Sequence, residues 1–81
     1  MAKTSVKYAK NFHLVALGGA IRDVRGRVGM SQEALALRAE VDRSYLGGIE
    51  RGEVNLALIN IVKIAAALEV SVEGLMREAR L

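Results

Sequence analysis

The 81-residue chain contains no cysteine and no proline, and it has only one histidine. Without cysteine there is no disulfide framework and no thiolate metal site, and His13 alone cannot build a zinc site. We therefore expect no metal or other cofactor, and a small core that depends on helix packing or on association of subunits. The lack of cysteine also fits a reducing cytoplasm, which is the expected location.

Long apolar segments are missing as well. The longest nearly uncharged run, residues 56–68, is interrupted by Lys63 and is too short to cross a bilayer. The N-terminus has no long apolar stretch with a cleavage signature, so we expect neither a signal peptide nor a membrane partner. Apolar residues still make up 52% of the chain and only three residues are aromatic, a composition that favours a helical bundle.

The chain is moderately basic, with a formal net charge of +3. This charge permits a polyanionic partner but does not require one. Residues 1–12 carry Lys3, Lys7 and Lys10 and show weak periodicity, which predicts a flexible basic N-terminal arm. A solvated tail without a partner is the plainer interpretation of this arm. Residues 13–81 are predicted to form one folded domain.

The pattern of apolar residues and helix caps in residues 13–81 predicts five helices and no strand. The first begins near Leu14 and is closed by Gly29. Its inward stripe comprises Leu17, Ile21, Val24 and Val28. The fourth helix is predicted over residues 56–68, with a stripe of Leu58, Ile61, Val62, Ala65 and Leu68. Ser71 is expected to cap a fifth helix that ends near Arg80.

Between the first and fourth helices lie two short helical patterns, capped by Ser31 and Asp42. The third helix runs from Arg43 to about Glu50. Glu40 and Val41 form the turn between them. Two short helices joined in this way predict a helix-turn-helix, which presents its second helix to the major groove of DNA.

The sequence from residue 17 to residue 76 resembles the Xre-type family of phage repressors and bacterial regulators. The resemblance is carried by Gly29-Met30-Ser31-Gln32-Glu33, by Asp42-Arg43-Ser44-Tyr45-Leu46 and by Ile49-Glu50-Arg51-Gly52. Residues 42–52 are especially similar to the controller proteins of restriction–modification systems. The family implies an all-α fold, a compact five-helix repressor-like DNA-binding domain with a central helix-turn-helix.

The resemblance also implies roles for individual residues. Gln32 begins the second helix, where it would bond a phosphate or brace the recognition helix. Arg43 would read guanine through a bidentate hydrogen bond, and Ser44 would contact a base or a phosphate. Tyr45 would contact a thymine methyl group or a sugar, unless it packs inside the domain.

Further positions complete the predicted DNA-binding set. Gly47 would let the recognition helix approach a phosphate or a neighbouring helix closely. Arg51 and Asn55 are candidate phosphate ligands, although the acidic Glu53 lies beside them and the arm lysines would have to compensate. Arg25 and Glu50 resemble a structural salt bridge of the family. The family often has glycine at the turn position that Glu40 occupies here, so we expect a strained backbone conformation at Glu40.

One helix-turn-helix reads only a few base pairs, so we expect a homodimer on a partly palindromic site in double-stranded DNA. The candidate dimer surface is formed by Ile59, Val72, Leu75 and Met76, which have the alternative of packing in the monomer core.

An enzyme is not expected, because the chain offers no histidine, carboxylate and nucleophile set and no phosphate-binding loop. The main hypothesis is a sequence-specific transcriptional regulator, without a small-molecule ligand. The alternative is a protein-interaction module on the same fold, such as an antitoxin or a bridging factor.

Overall fold

A computed structural model describes residues 11–81, in which five α-helices follow one another. They are α1 (Phe12–Arg27), α2 (Gln32–Ala39), α3 (Arg43–Glu50), α4 (Leu58–Ala67) and α5 (Val72–Ala79). Helix α1 packs against α3 and α5, α2 packs against α3 and α4, and α4 contacts α5. The predicted all-α, five-helix fold is confirmed. The arm lysines lie outside the described residues.

The N-terminal ends of the helices follow from local hydrogen bonding. Ser31 Oγ accepts from the backbone N–H of Ala34, and Ser71 Oγ accepts from that of Gly74, so both predicted caps are confirmed. Helix α1 begins at Phe12, two residues before the predicted start, because Asn11 Oδ1 accepts the N–H of His13 at 3.0 Å. Asp42 occupies the cap position of α3, but its carboxylate makes no capping bond.

The C-terminal ends of all five helices share one motif. After each helix a residue with positive φ turns the chain, and the next N–H bonds a carbonyl five residues back, as from Met30 to Arg25. Glycine occupies this position at Gly29 and Gly52. The other three are Glu40, Glu69 and Arg80. The strained conformation predicted for Glu40 is confirmed, with φ at 58°.

The core is a cluster of aliphatic side chains drawn from all five helices, with Ile21, Leu35, Leu46, Ile64 and Leu75 fully enclosed. The predicted stripe of α4 is partly wrong, because Leu58 and Val62 point to solvent while Ile64 is buried. Leu56 packs against the core but precedes the helix, which begins two residues later than predicted. Val28 is also exposed, beyond the end of α1.

Close packing of α1 on the end of α3 depends on two glycines. A Cβ atom at Gly18 would collide with the carbonyl oxygen of Ile49 and would lie 2.9 Å from that of Glu50. A Cβ atom at Gly52 would lie 2.7 Å from Cα of Val15. The absence of side chains at Gly18 and Gly52 thus lets the first half of α1 lie directly against the end of α3 and the turn that follows it.

Within residues 11–81 no helix is long and apolar enough to cross a membrane. The same part of the chain holds no group of three or more His, Asp or Glu side chains placed to bind a metal ion.

Candidate nucleic-acid interface

Helices α2 and α3 are joined by only three residues, 40–42, and they pack directly on each other. The turn is fixed at one end by the left-handed Glu40, whose carbonyl oxygen accepts a hydrogen bond from Lys63 Nζ at 3.2 Å. Val41 packs against the core from the turn. The first turn of α3 is left exposed, which is the part of a recognition helix that reaches base edges.

A buried ion pair anchors α3 to α1. Arg25 donates from Nε to Glu50 Oε2 at 2.8 Å and from Nη2 to Glu50 Oε1 at 3.0 Å, so the predicted salt bridge is confirmed in bidentate form. The Glu50 side chain is only 3% exposed and that of Arg25 is 17% exposed. Arg25 also donates to the carbonyl oxygen of Met30, which ties the end of α1 to the start of α2.

This pairing affects the arginine in a predictable direction. The hydrogen bond to the Glu50 carboxylate raises the pKa of Arg25 above its ordinary value, against a smaller lowering by burial. A cation whose folded-state pKa is raised contributes stability below its unfolded pKa and loses it only above that value. Since that window lies at strongly alkaline pH, Arg25 keeps its charge throughout the neutral pH range.

Hydrogen bonds of Gln32 connect the buried ion pair to Arg43 at the exposed start of α3. Gln32 Nε2 donates to Glu50 Oε1 at 3.0 Å, and Gln32 Oε1 accepts from Arg43 Nη1 at 2.8 Å. The carboxylate can only accept, so it orients the amide of Gln32 with its oxygen toward Arg43. Of the two roles considered for Gln32, the described contacts correspond to bracing the recognition helix.

The next two residues of α3 differ in exposure. Ser44 is exposed, and its hydroxyl lies 3.4 Å from the Asp42 carboxylate. Tyr45 is partly buried against the core, and its hydroxyl oxygen accepts a hydrogen bond from Asn60 Nδ2 at 3.0 Å. This corresponds to the packing alternative for Tyr45, although the hydroxyl keeps its own proton for one further bond.

Gly47 faces a neighbouring helix. It is buried, and a Cβ atom placed there would lie 3.2 Å from Arg51 Nη1 and 3.6 Å from Gln32 Oε1. These contacts correspond to the alternative of a close approach to a neighbouring helix, and a direct contact of Gly47 with DNA stays a prediction. Arg51 and Asn55 are exposed on the segment after α3, and Arg51 pairs with Glu53 at 3.1 Å.

The outward side of α4 is apolar. Leu58, Ile59, Val62 and Ala66 are all exposed, with Leu58 and Ile59 at 68% and 63%. Val72 and Met76 of α5 are partly buried. Leu75 is 1% exposed in the monomer core, so its assignment to the dimer surface is wrong. The sequence alone does not separate Leu58 and Val62 from the buried face, because a helix that is apolar on nearly every side does not indicate which side faces the core.

Asn60 and Met30 were missed by the sequence analysis. Asn60 is the one uncharged polar side chain within α4, and a polar residue in an apolar helix calls for a hydrogen-bond partner. That signal was present in the sequence, but the partner, Tyr45, was not deducible. The carbonyl oxygen of Met30 gives no sequence signal.

Two short packed helices, a three-residue turn and an exposed first turn of the second helix define a helix-turn-helix DNA-binding domain. A family model described as helix-turn-helix (HTH_3) matches residues 21–75. The chain is 42% identical over 60 residues to control protein C.BamHI of Bacillus amyloliquefaciens, covering 73% of this chain and 74% of that protein.

Solved structures agree in fold. The restriction-modification controller protein C.AhdI from Aeromonas hydrophila matches with a TM-score of 0.75 and 47% identity, over 76% of this chain and 94% of that one. The clp gene regulator ClgR from Corynebacterium glutamicum matches with a TM-score of 0.83 and 30% identity, over 86% and 74%. The chain therefore belongs to the helix-turn-helix family of transcription regulators and is homologous to restriction–modification controller proteins.

Proposed function

We propose that this protein is a sequence-specific DNA-binding regulator that acts as a homodimer on a partly palindromic operator and controls a restriction–modification system. It acts in the cytoplasm, where its DNA target lies, and it has no enzymatic activity of its own. The observation that carries the proposal is the hydrogen-bonded series Glu50, Gln32 and Arg43. It places a guanidinium at the exposed start of the recognition helix.

The charges around the recognition helix support base-specific binding of DNA rather than non-specific binding to its backbone. A buried carboxylate is neutralised by Arg25, so the negative charge behind the recognition helix does not repel phosphate. Arg43 keeps its remaining donors for a partner, because an arginine has five and Gln32 engages one. A fork of donors at this position matches the O6 and N7 acceptors of guanine in the major groove.

The first prediction concerns Arg43. We expect Arg43→Ala to weaken binding to the operator by about 1–3 kcal/mol, because the bidentate contact to guanine is lost. The fold should remain, since the Arg43 side chain is exposed and makes no ion pair within the described residues. Fluorescence anisotropy with labelled operator measures the effect, and thermal unfolding checks the fold.

Arg77→Ala serves as the matched control, because Arg77 is an exposed arginine on α5 whose one ion pair within residues 11–81 is with Glu73. It removes the same charge at a distance from the recognition helix and should change operator affinity by less than Arg43→Ala. Equal losses for the two variants would mean that charge alone, and not the contact of Arg43, governs binding.

The operator itself is found by selection from a random DNA library at two salt concentrations. Enrichment of a two-fold motif with half-sites about 34 Å apart would support the proposal. Salt-sensitive binding without enrichment would oppose it and would favour the protein-interaction module.

The proposed dimer interface is the exposed apolar face of α4, extended by Val72 and Met76 of α5. A monomeric regulator would leave Leu58, Ile59 and Val62 in water, whereas a two-fold pairing through this face would bury all three in both subunits. The exposed side of α5 by contrast carries Glu73, Arg77 and Glu78, which suits solvent.

The second prediction tests this face. We expect Ile59→Glu to weaken dimerisation by about 1.5–3 kcal/mol, because burial of an isoleucine is lost and a charge is placed at the interface. Sedimentation equilibrium measures the dimer dissociation constant. Leu37→Glu is the matched control, since Leu37 is 80% exposed on α2 and outside the proposed interface. A dimer constant unchanged by Ile59→Glu would rule out this face.

A further inference from the structure

The recognition helix α3 is held between two side-chain amides that come from neighbouring helices. On one side, Gln32 of α2 accepts a hydrogen bond from Arg43, with 2.8 Å between Oε1 and Nη1. On the other side, Asn60 of α4 donates from Nδ2 to the hydroxyl oxygen of Tyr45 at 3.0 Å. Positions 43 and 45 are about 200° apart around a helix, so they meet different neighbours. Both amides contact the first turn of α3, but one accepts a hydrogen bond and the other donates one.

Packing fixes the place of the Tyr45 hydroxyl group. The ring is half-buried and packs against the core, and Asn60 is half-buried in the first turn of α4. A hydrogen bond between two partly enclosed side chains is stronger than the same bond on an open surface, because less water screens it. The pair therefore holds the hydroxyl group at the boundary between the recognition helix and α4.

The direction of this hydrogen bond decides what the hydroxyl group can offer to a partner. A tyrosine hydroxyl has one proton to donate and lone pairs that accept. Because the amide of Asn60 donates to the oxygen, the proton of the hydroxyl has to point away from Asn60. The bond to Asn60 is the one hydrogen bond of this hydroxyl within residues 11–81, so its proton is available to a partner outside the chain.

From this geometry we propose that Asn60 is a positioning residue for DNA binding, which makes the Tyr45 hydroxyl a donor to an acceptor oxygen of the duplex. Phosphate oxygens and the O4 and O6 atoms at base edges accept hydrogen bonds and do not donate them. A hydroxyl whose proton is directed outward matches these atoms rather than the amino groups of adenine and cytosine. The inference rests on the proposed DNA-binding function and adds to it a residue of α4 that acts through Tyr45.

The substitution Asn60→Asp tests the direction of the hydrogen bond. A carboxylate can only accept, so the Tyr45 hydroxyl would donate to it and would have no proton left for DNA. Beyond the effect of the added charge, we expect operator affinity to fall by about 2- to 12-fold, the range for the loss of one hydrogen bond. Fluorescence anisotropy with the selected operator measures the affinity, and thermal unfolding checks that the variant is folded.

The added charge is separated by making the same substitution in the Tyr45→Phe variant. Asn60 has no hydroxyl to orient there, so Asn60→Asp should show only the repulsion between its carboxylate and the DNA. Any effect on dimerisation or on α4 itself is likewise common to both backgrounds. The loss in the unmodified background, divided by the loss in the Tyr45→Phe background, should equal the loss caused by Tyr45→Phe alone.

The uncharged substitution Asn60→Ala gives a second measurement. It should weaken operator binding by no more than Tyr45→Phe does, because the hydroxyl remains but is no longer oriented. In the Tyr45→Phe background it should change nothing. Equal losses from Asn60→Asp in the two backgrounds, or a Tyr45→Phe variant that binds as tightly as the unmodified protein, would overturn the inference.

A duplex of scrambled sequence identifies the acceptor on the DNA. If the hydroxyl donates to a phosphate, Tyr45→Phe should weaken binding to the operator and to the scrambled duplex by the same factor, because phosphates are common to both. If it donates to a base, the loss should be confined to the operator. Both results support an oriented donor at position 45.

The same measurements keep this inference apart from the proposed function. An unmodified protein that prefers its operator, together with equal losses from Asn60→Asp in both backgrounds, would refute the role of Asn60 and leave the regulator intact. An unmodified protein that binds neither duplex would refute both.

Discussion

Replacing Arg25 with methionine is expected to lower the free energy of unfolding by about 3–5 kcal/mol. The substitution leaves the carboxylate of Glu50 enclosed at 3% exposure, with Gln32 as its remaining side-chain donor among residues 11–81. It also removes the bond to the carbonyl oxygen of Met30. Since a domain of this size has only about 4–12 kcal/mol of stability in total, the variant should be largely unfolded well below the melting temperature of the unmodified protein. Urea unfolding followed by circular dichroism measures the loss.

The double variant Arg25→Met, Glu50→Leu is the informative control. Replacing both partners of a buried pair by apolar residues is often close to neutral, because no uncompensated charge remains. We therefore expect the double variant to recover most of the stability that the single variant loses. It should still bind DNA less well, because Gln32 no longer has the acceptor that orients it. A single variant that loses less than 1 kcal/mol would show that water reaches Glu50.

Adjacent glycines in α1 are expected to respond to alanine in opposite directions. Gly18→Ala should destabilise the domain by about 1–3 kcal/mol, because its Cβ atom would collide with the backbone carbonyl of Ile49, which cannot rotate away. Gly19→Ala should stabilise it by up to about 1 kcal/mol, since a Cβ atom there meets nothing within 4 Å and alanine favours the helix. Thermal and urea unfolding of both variants measure the difference.

The pair also controls for helix propensity, which improves equally in the two variants. Any difference between them therefore reports the contact between α1 and α3. Similar stabilisation in both would mean that the two helices can move apart at little cost.

The helix order and the helix-turn-helix were predictable because caps and apolar spacing act locally. Ser31 and Ser71 mark their helices by a side-chain bond within three residues, and Gly29 and Gly52 mark ends by their backbone freedom. The end of α4 had no such marker, since Glu69 adopts the left-handed conformation that glycine usually provides. The face that α4 buries was not predictable either, because contact with α2 and α5 selects it.

A contact within the site was predictable where a side chain has only one partner of suitable charge on a neighbouring element. Arg25 and Glu50 have opposite charges and lie on elements that the fold brings together, so their pairing followed from the resemblance. Roles that depend on distances between helices did not follow in this way. Gly47 lies beneath Gln32, Tyr45 lies against Asn60, and Leu75 lies in the core, and each position is set by packing across elements.

The orientation of Gln32 has a consequence for how this regulator can change its target during evolution. Because the amide oxygen faces position 43, that position accepts side chains that donate a hydrogen bond, such as arginine, lysine or glutamine. An acidic side chain there, which would read the amino group of cytosine, meets the oxygen of Gln32 and is disfavoured. The buried carboxylate of Glu50 thus limits, through Gln32, which side chains position 43 accepts and therefore which bases it can recognise. A change of operator requires either another hydrogen-bond donor at position 43 or substitution of Gln32 and Glu50 as well.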